Sequence, residues 1–213
     1  MTGHPPADGP SILRSTGSVR AFTDEPVDDA TLYSVLDTAR FAPSGGNRQP
    51  WRVAIIRDPS ARRALADQMQ AVWDEYQAYH RAGLVPFAGG QLPPGSIEHV
   101  PNVLLDAIET IPVVLCIAAD RSKIAVMDGA LDRPPITGGA SIYPFCWNLL
   151  LAAREHGLGG VITTFLSRAE PTASPALGLP ASHALAATIF LGHPVHQPTR
   201  LRRAPCSSPS PCW

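Results

Sequence analysis

The segment Ala42-Pro43-Ser44-Gly45-Gly46-Asn47-Arg48-Gln49-Pro50-Trp51 constrains this chain more than any other. Pro43 disfavours helical geometry at Ala42, so a helix arriving from the N-terminal side stops there. Gly45 and Gly46 admit positive φ and let a planar group lie close to the backbone. Ser44 and Asn47 carry compact donors and acceptors suited to the polar edge of a ring. From Trp51 onward the apolar run Val53-Ala54-Ile55-Ile56 reads as a buried strand ending at Asp58-Pro59. A second polar cluster, Ser18-Val19-Arg20-Ala21-Phe22, precedes the turn by one helix length. Together the two describe a site for a flat, anionic ligand such as a flavin mononucleotide (FMN). Taken alone, the turn is equally an ordinary Ser-Gly-Gly-Asn connection between helix and strand.

A chain of 213 residues with 45% hydrophobic content suits one large domain with a real core. No apolar run approaches the roughly 18 residues that read as a membrane helix. Residues 1–10, with Met1-Thr2-Gly3-His4-Pro5-Pro6, show no secretory pattern. They are expected to form a disordered arm before a domain over 11–203, with an extended tail over 204–213. A cytoplasmic location is expected. The net charge of −1 gives no basic stripe and argues against a nucleic-acid partner. Cys116 and Cys146 sit in apolar runs, whereas Cys206 and Cys212 lie in the tail. With no CxxC and no full ligand set around His193 and His196, no metal site is expected.

Asp28 or Asp29 is placed to cap a helix through Leu32, Val35, Leu36 and Ala39 to Phe41. A strand over 52–57 follows, then a helix over about 60–80 with Pro59 at its start. The Gly- and Pro-rich stretch 81–96 reads as a long loop or lid. Trp73, Tyr76 and Tyr79 recur every three residues. They either line a substrate pocket or pack an aromatic helix face on the core or a partner. Residues 112–119 form a strong buried strand, and 121–137 a polar connection. Residues 138–156 form an apolar helix closed by Gly157. A Gly-rich turn then leads into a short strand near 161–165. Ala176–Pro180 reads as a short helix and turn, and 184–191 as a last strand. Trp213, ending the tail, is expected to dock rather than stand in water. Interleaved strands and helices argue for a sheet with helices packed against it.

In this order the segments resemble the FMN-dependent nitroreductase family, over about Leu13 to Arg203. Four stretches carry the resemblance: Ser18-Val19-Arg20-Ala21-Phe22, Ala42 through Trp51, Gly157-Leu158-Gly159 leading to Thr163-Thr164, and Arg202-Arg203 with Pro205. The resemblance implies an α+β fold, a mixed β-sheet flanked by helices, in an intertwined homodimer with two FMN sites at its interface. It implies that Ser18 and Arg20 contact the FMN phosphate, ribityl chain or ring edge. Ser44, Gly45 and Asn47 would reach the ring, from the other subunit. Thr163 and Thr164 would face flavin N5, and Arg202 and Arg203 would lie near the phosphate. The family has two arginines where this chain has Thr16 and Gly17, and a threonine hydroxyl at 16 can still bond phosphate. Trp73 and Tyr76 are the candidate substrate-pocket residues.

The activity so implied is a ping-pong transfer of hydride from NAD(P)H, through flavin N5, to a nitroaromatic, quinone or enone-like small-molecule acceptor. No separate acid–base residue is needed, because the cofactor carries the reaction. No GxGxxG is present, which fits a nicotinamide that visits rather than stays. Relatives of the fold also dehalogenate, fragment flavin or oxidise heterocycles. The lid pattern of the deiodinases is incomplete here, since Asp74-Glu75-Tyr76 is followed by Gln77. A flavin-storage protein without turnover is the reading from a different class.

Overall fold

The computed structural model describes residues 12–203. The arm over 1–10, the tail over 204–213, its cysteines and Trp213 lie outside the described residues. Four strands, β1 (Trp51–Ile55), β2 (Val113–Asp120), β3 (Gly159–Thr163) and β4 (His183–Gly192), form one sheet in the order β1-β2-β4-β3. Every pairing among them is antiparallel. The α+β architecture is as expected, but no parallel pair of the implied mixed sheet lies within the described residues.

Strand β2 is apolar throughout because both of its faces are covered. Val113, Leu115, Ile117 and Ala119 face one core, and Val114 and Cys116 face the other. The first core is closed by α2 (Asp29–Ala39) through Leu32, Val35 and Ala39, and by α5 (Tyr143–Glu155) through Phe145, Cys146 and Leu149. The second is closed by α3 (Pro59–Arg81), α4 (Val103–Asp106), α6 (Phe165–Arg168) and α7 (Glu170–Ala176). A bulge between Ile117 and Ala118 sets Ile117 opposite Ala187 but Ala118 opposite Leu185. Ala186 is the extra residue, so Leu185 turns to the second core while Ala187 stays in the first.

Local chemistry sets the helix ends. Asp28 accepts from the Thr31 N–H at 2.7 Å and starts α2. Asp58 accepts from the Ala61 N–H at 2.8 Å, with Pro59 in the first turn of α3. Helix α5 begins at Tyr143, later than the apolar pattern suggests. Thr137–Ser141 form a 3-10 turn instead, and Pro144 sits in the first helical turn. Gly157 closes the helix with φ of 76°. A four-residue helix, α1 (Ile12–Ser15), leads the described chain.

Candidate functional site

Strand β3 is edge-on to the N-terminal segment. The Val19 N–H donates to the Gly160 carbonyl at 2.9 Å. A Cβ at Gly159 would stand 2.6 Å from Val19 Cγ2, so only glycine lets that side chain in. The same approach sets Arg20 beside the C-terminal end of β3. There a cavity of about 620 Å³ opens, lined by Arg20, Trp73, Tyr76, Thr163, Thr164 and Phe165, with Pro101 to Leu104 as its remaining wall. Trp73 and Tyr76 stack at 6.0 Å between ring centroids, and Phe165 stands edge-on to both, at 5.6 and 5.9 Å. The Trp73 indole N–H donates to Val100 O at 3.0 Å, which fixes the ring plane. The result is an aromatic wall in one cavity with a cation and two threonines, of which Thr163 donates its hydroxyl to Thr188 O at 3.4 Å.

Residues 197–201 cross directly over Gly17. A Cβ there would stand 2.8 Å from Pro198 Cβ and 2.9 Å from Leu201 Cδ2. The glycine in place of an arginine is thus a packing requirement of this chain. Arg202 and Arg203 follow the crossing directly in the chain, and both, like Arg20, are exposed. Arg20 and Arg202 make no ion pair among the described residues, and Arg203 donates only to the Arg202 carbonyl, at 2.7 Å. Thr16 has a different task from the phosphate contact expected of it. It is buried, and its hydroxyl donates to Ile12 O at 2.7 Å, closing α1. Its proton is therefore committed to the backbone. Ser18 is exposed and keeps its hydroxyl at the surface. Unpaired guanidiniums on both crossing segments suit a phosphate, which they bind bidentately, so the residues present fit an FMN phosphate.

Ser44, Gly45 and Asn47 do not line this cavity. Ser44 Oγ accepts from the Gln49 N–H at 3.0 Å, and Asn47 Oδ1 accepts from the Gln49 side-chain amide at 3.1 Å. The Gly45 N–H donates to Ser141 Oγ at 3.1 Å, which pins the turn to the 3-10 segment before α5. Gly46, Asn47 and Gln49 all adopt positive φ, of 59°, 51° and 46°. The turn is thus tightly built, exposed, and outside its own chain's cavity.

Several residues that shape the site were not anticipated. Phe165 and the wall Pro101–Leu104 come from short helices with little periodicity. Asn102 caps α4 by accepting from the Leu104 N–H at 3.1 Å, and that Asn is the one local signal of the helix. The segment that follows α4 is held by Arg62, only 8% exposed. Its guanidinium donates to Ile56 O at 2.8 Å, Ile111 O at 2.6 Å and Glu109 O at 3.1 Å. Arg63 adds contacts to Leu105 O at 3.2 Å and the Glu109 carboxylate at 3.1 Å. Asp128 organises the connection 124–137. It accepts from the Thr137 hydroxyl, the Ile136 N–H and Arg133, and these bonds hold its carboxyl well below the usual range. Burial pushes the thiols of Cys116 and Cys146 up to about 12 each. Among the described residues no cluster of metal-ligating side chains occurs, and no helix is long and apolar enough to cross a membrane.

A profile described as the nitroreductase family matches residues 13–193. The chain is 29% identical over 203 residues to an NADH dehydrogenase of Thermus thermophilus, covering 94% of both chains. It is 29% identical over 189 residues to a 5,6-dimethylbenzimidazole synthase of Rhodospirillum rubrum, covering 86% of this chain and 82% of that one. The fold matches that of a nitroreductase with bound FMN from Desulfitobacterium hafniense, with a TM-score of 0.63 at 19% identity, over 91% of this chain and 92% of the other.

Proposed function

The chain belongs to the nitroreductase family, and on that premise we propose that it is an FMN-dependent NAD(P)H oxidoreductase acting on nitroaromatic, quinone or enone-like acceptors. The observation that carries this reading is the cavity that unites Arg20, Thr163 and Thr164 with the aromatic wall of Trp73, Tyr76 and Phe165. When bound, FMN supplies two-electron transfer at N5, linking a reduced nicotinamide to an acceptor in alternate half-reactions. Arg20, Arg202 and Arg203 hold the phosphate, with Ser18 donating to it or to the ribityl chain. Thr163 and Thr164, at the end of a central-sheet strand, present polar groups to the N5 edge. Trp73, Tyr76 and Phe165 exclude water and admit flat molecules. Ser44, Gly45 and Asn47, which do not line their own cavity, serve the ring bound by a partner subunit, so the working form is a homodimer.

The test is the visible spectrum of the purified protein, taken anaerobically after addition of FMN, then NADPH, then NADH. The reading requires a flavin band that bleaches with one of the nucleotides. An absent band removes FMN from the proposal, and a band that neither nucleotide bleaches removes nicotinamide as donor. The second reading is flavin fragmentation, favoured by the similarity to the Rhodospirillum rubrum synthase. It predicts slow loss of the flavin from the chemically reduced protein on admitting oxygen, in place of repeated bleaching.

A further inference from the structure

The loop joining α3 to α4 is stitched down at two places. Near its end, the Val100 N–H donates to Asp74 Oδ1 at 2.9 Å, and Val100 O accepts from Trp73 and Gln70. The other place is Phe87. Its ring stands edge-on to Tyr79 at 5.3 Å and within 6.5 Å of Tyr76. On another side the Arg168 guanidinium lies 4.2 Å from its centroid. Arg168 is itself fixed by two hydrogen bonds to the Glu75 carboxylate, at 3.1 and 2.9 Å. Between these points only Gly90 O, accepting from the Tyr79 hydroxyl, and Ser96 O, accepting from Arg81, tie the loop's 88–98 stretch to α3.

Two features mark Phe87 as more than loop packing. It has φ of 58°, a left-handed backbone that a bulky side chain rarely adopts, so its ring is held there against local preference. It also sits one helical turn from the cavity wall on both of the helices it touches. Tyr76 and Tyr79 are three apart on α3, as are Phe165 and Arg168 on α6, and residues three apart share a helix face. Tyr76 and Phe165 line the cavity, while Tyr79 and Arg168 grip Phe87.

We propose that Phe87 is a latch and Arg168 its catch, and that together they hold residues 84–96 closed beside the cavity and set the size of acceptor admitted. The size-selection part rests on the oxidoreductase reading above. The latch itself does not. With the ring released, strain at residue 87 relaxes and the Gly-rich stretch moves, while Val100 stays anchored by Asp74 and Trp73. Arg168 and Phe87 are positioning residues, since neither lines the cavity.

The experiment compares the full-length, FMN-loaded protein with Phe87→Ala and the conservative Phe87→Tyr. Amide hydrogen exchange is followed over 84–96 and 99–104, and kinetics are measured with a one-ring quinone (1,4-benzoquinone) and a three-ring quinone (9,10-phenanthrenequinone). Removing the aromatic pair and the cation–π interaction together speeds exchange over 84–96 by about tenfold in Phe87→Ala. Exchange over 99–104 stays unchanged. The KM for the three-ring quinone falls relative to that for the one-ring quinone at equal FMN content, and Phe87→Tyr restores both. Unchanged exchange over 84–96 overturns the latch. Faster exchange with an unchanged KM ratio overturns its role in selecting acceptors. If the wild type reduces neither quinone, the oxidoreductase reading falls, and exchange alone decides the latch.

Discussion

Replacing Arg62 by methionine tests how the segment after α4 is held to the end of β1. Methionine fills much of the volume of the arginine stem but donates nothing, so the substitution isolates the carbonyl contacts. Two of these oxygens, on Ile56 and Ile111, belong to residues 8% and 3% exposed and accept short bonds of 2.8 and 2.6 Å that methionine cannot make. A buried acceptor left without a donor costs about 1–3 kcal/mol. The Glu109 carbonyl belongs to an exposed residue and can turn to water. Against this cost stands the desolvation penalty that burial imposes on the charged guanidinium and that the substitution relieves. The net expectation is a destabilisation of about 2–4 kcal/mol, the lower half of the about 2–6 kcal/mol for two orphaned carbonyls. At about 2–4 °C per kcal/mol for a chain of this size, the melting temperature falls by about 4–16 °C. The assay is thermal unfolding followed by far-ultraviolet circular dichroism at fixed protein concentration, with Arg62→Lys alongside as the variant that keeps a charge and some donors. A drop under about 1 kcal/mol in Arg62→Met would falsify the argument, because it would mean that the carbonyls find water or each other at no cost.

Arg20→Ala is expected to lose FMN, seen as a colourless preparation and FMN affinity weaker by about tenfold or more in a fluorescence titration, since charged hydrogen bonds contribute about 1.5–3 kcal/mol; unchanged affinity rejects the phosphate assignment. Gly17→Ala pushes on Pro198 and Leu201, so weakened FMN binding with folding retained is expected, and an unaltered titration would show that the crossing segment is free to move. Asp128 has a folded-state pKa below its ordinary 3.8, so its contribution to stability is present above that value and is lost as pH falls through the folded pKa. The melting-temperature gap between wild type and Asp128→Asn is therefore largest near neutrality and closes on acidification below pH 4; a gap independent of pH contradicts the assignment. Cys116 and Cys146, buried and with thiols pushed to about 12, are expected to stay unmodified by iodoacetamide at pH 8 in the native protein and to react after denaturation, as peptide mapping can read.

What was legible in the sequence was whatever is encoded by local pattern. The 3.6-residue spacing of Leu32, Val35, Leu36 and Ala39 gave α2, and the apolar run from Val113 gave the central strand. Pro43 and the two glycines after it gave the turn at 44–47. Helix α6, over Phe165–Arg168, was not anticipated because a single turn shows no periodicity, and the short helix expected at Ala176–Pro180 lies instead over Glu170–Ala176, where Pro171 and Pro175 hide it. Pro144 was a usable sign that α5 begins near residue 143, yet the longer apolar stretch outweighed it. At the site, Arg20, Thr163, Thr164, Trp73 and Tyr76 converge on one cavity. The approach of Leu201 to Gly17 and the cage around Arg62 join residues far apart in the chain. No windowed reading of a sequence contains such pairings.

The order of the sheet has a bearing on how the protein is made. Strand β4 is the last to be synthesised and stands between β2 and β3. Until residue 192 leaves the ribosome, β2 has no partner on one side and β3 has none at all. The strip over Gly17 waits still longer, until Leu201 has emerged. The nascent chain therefore carries unpaired strand edges until β4 has emerged, the condition in which partly made chains are most prone to aggregate.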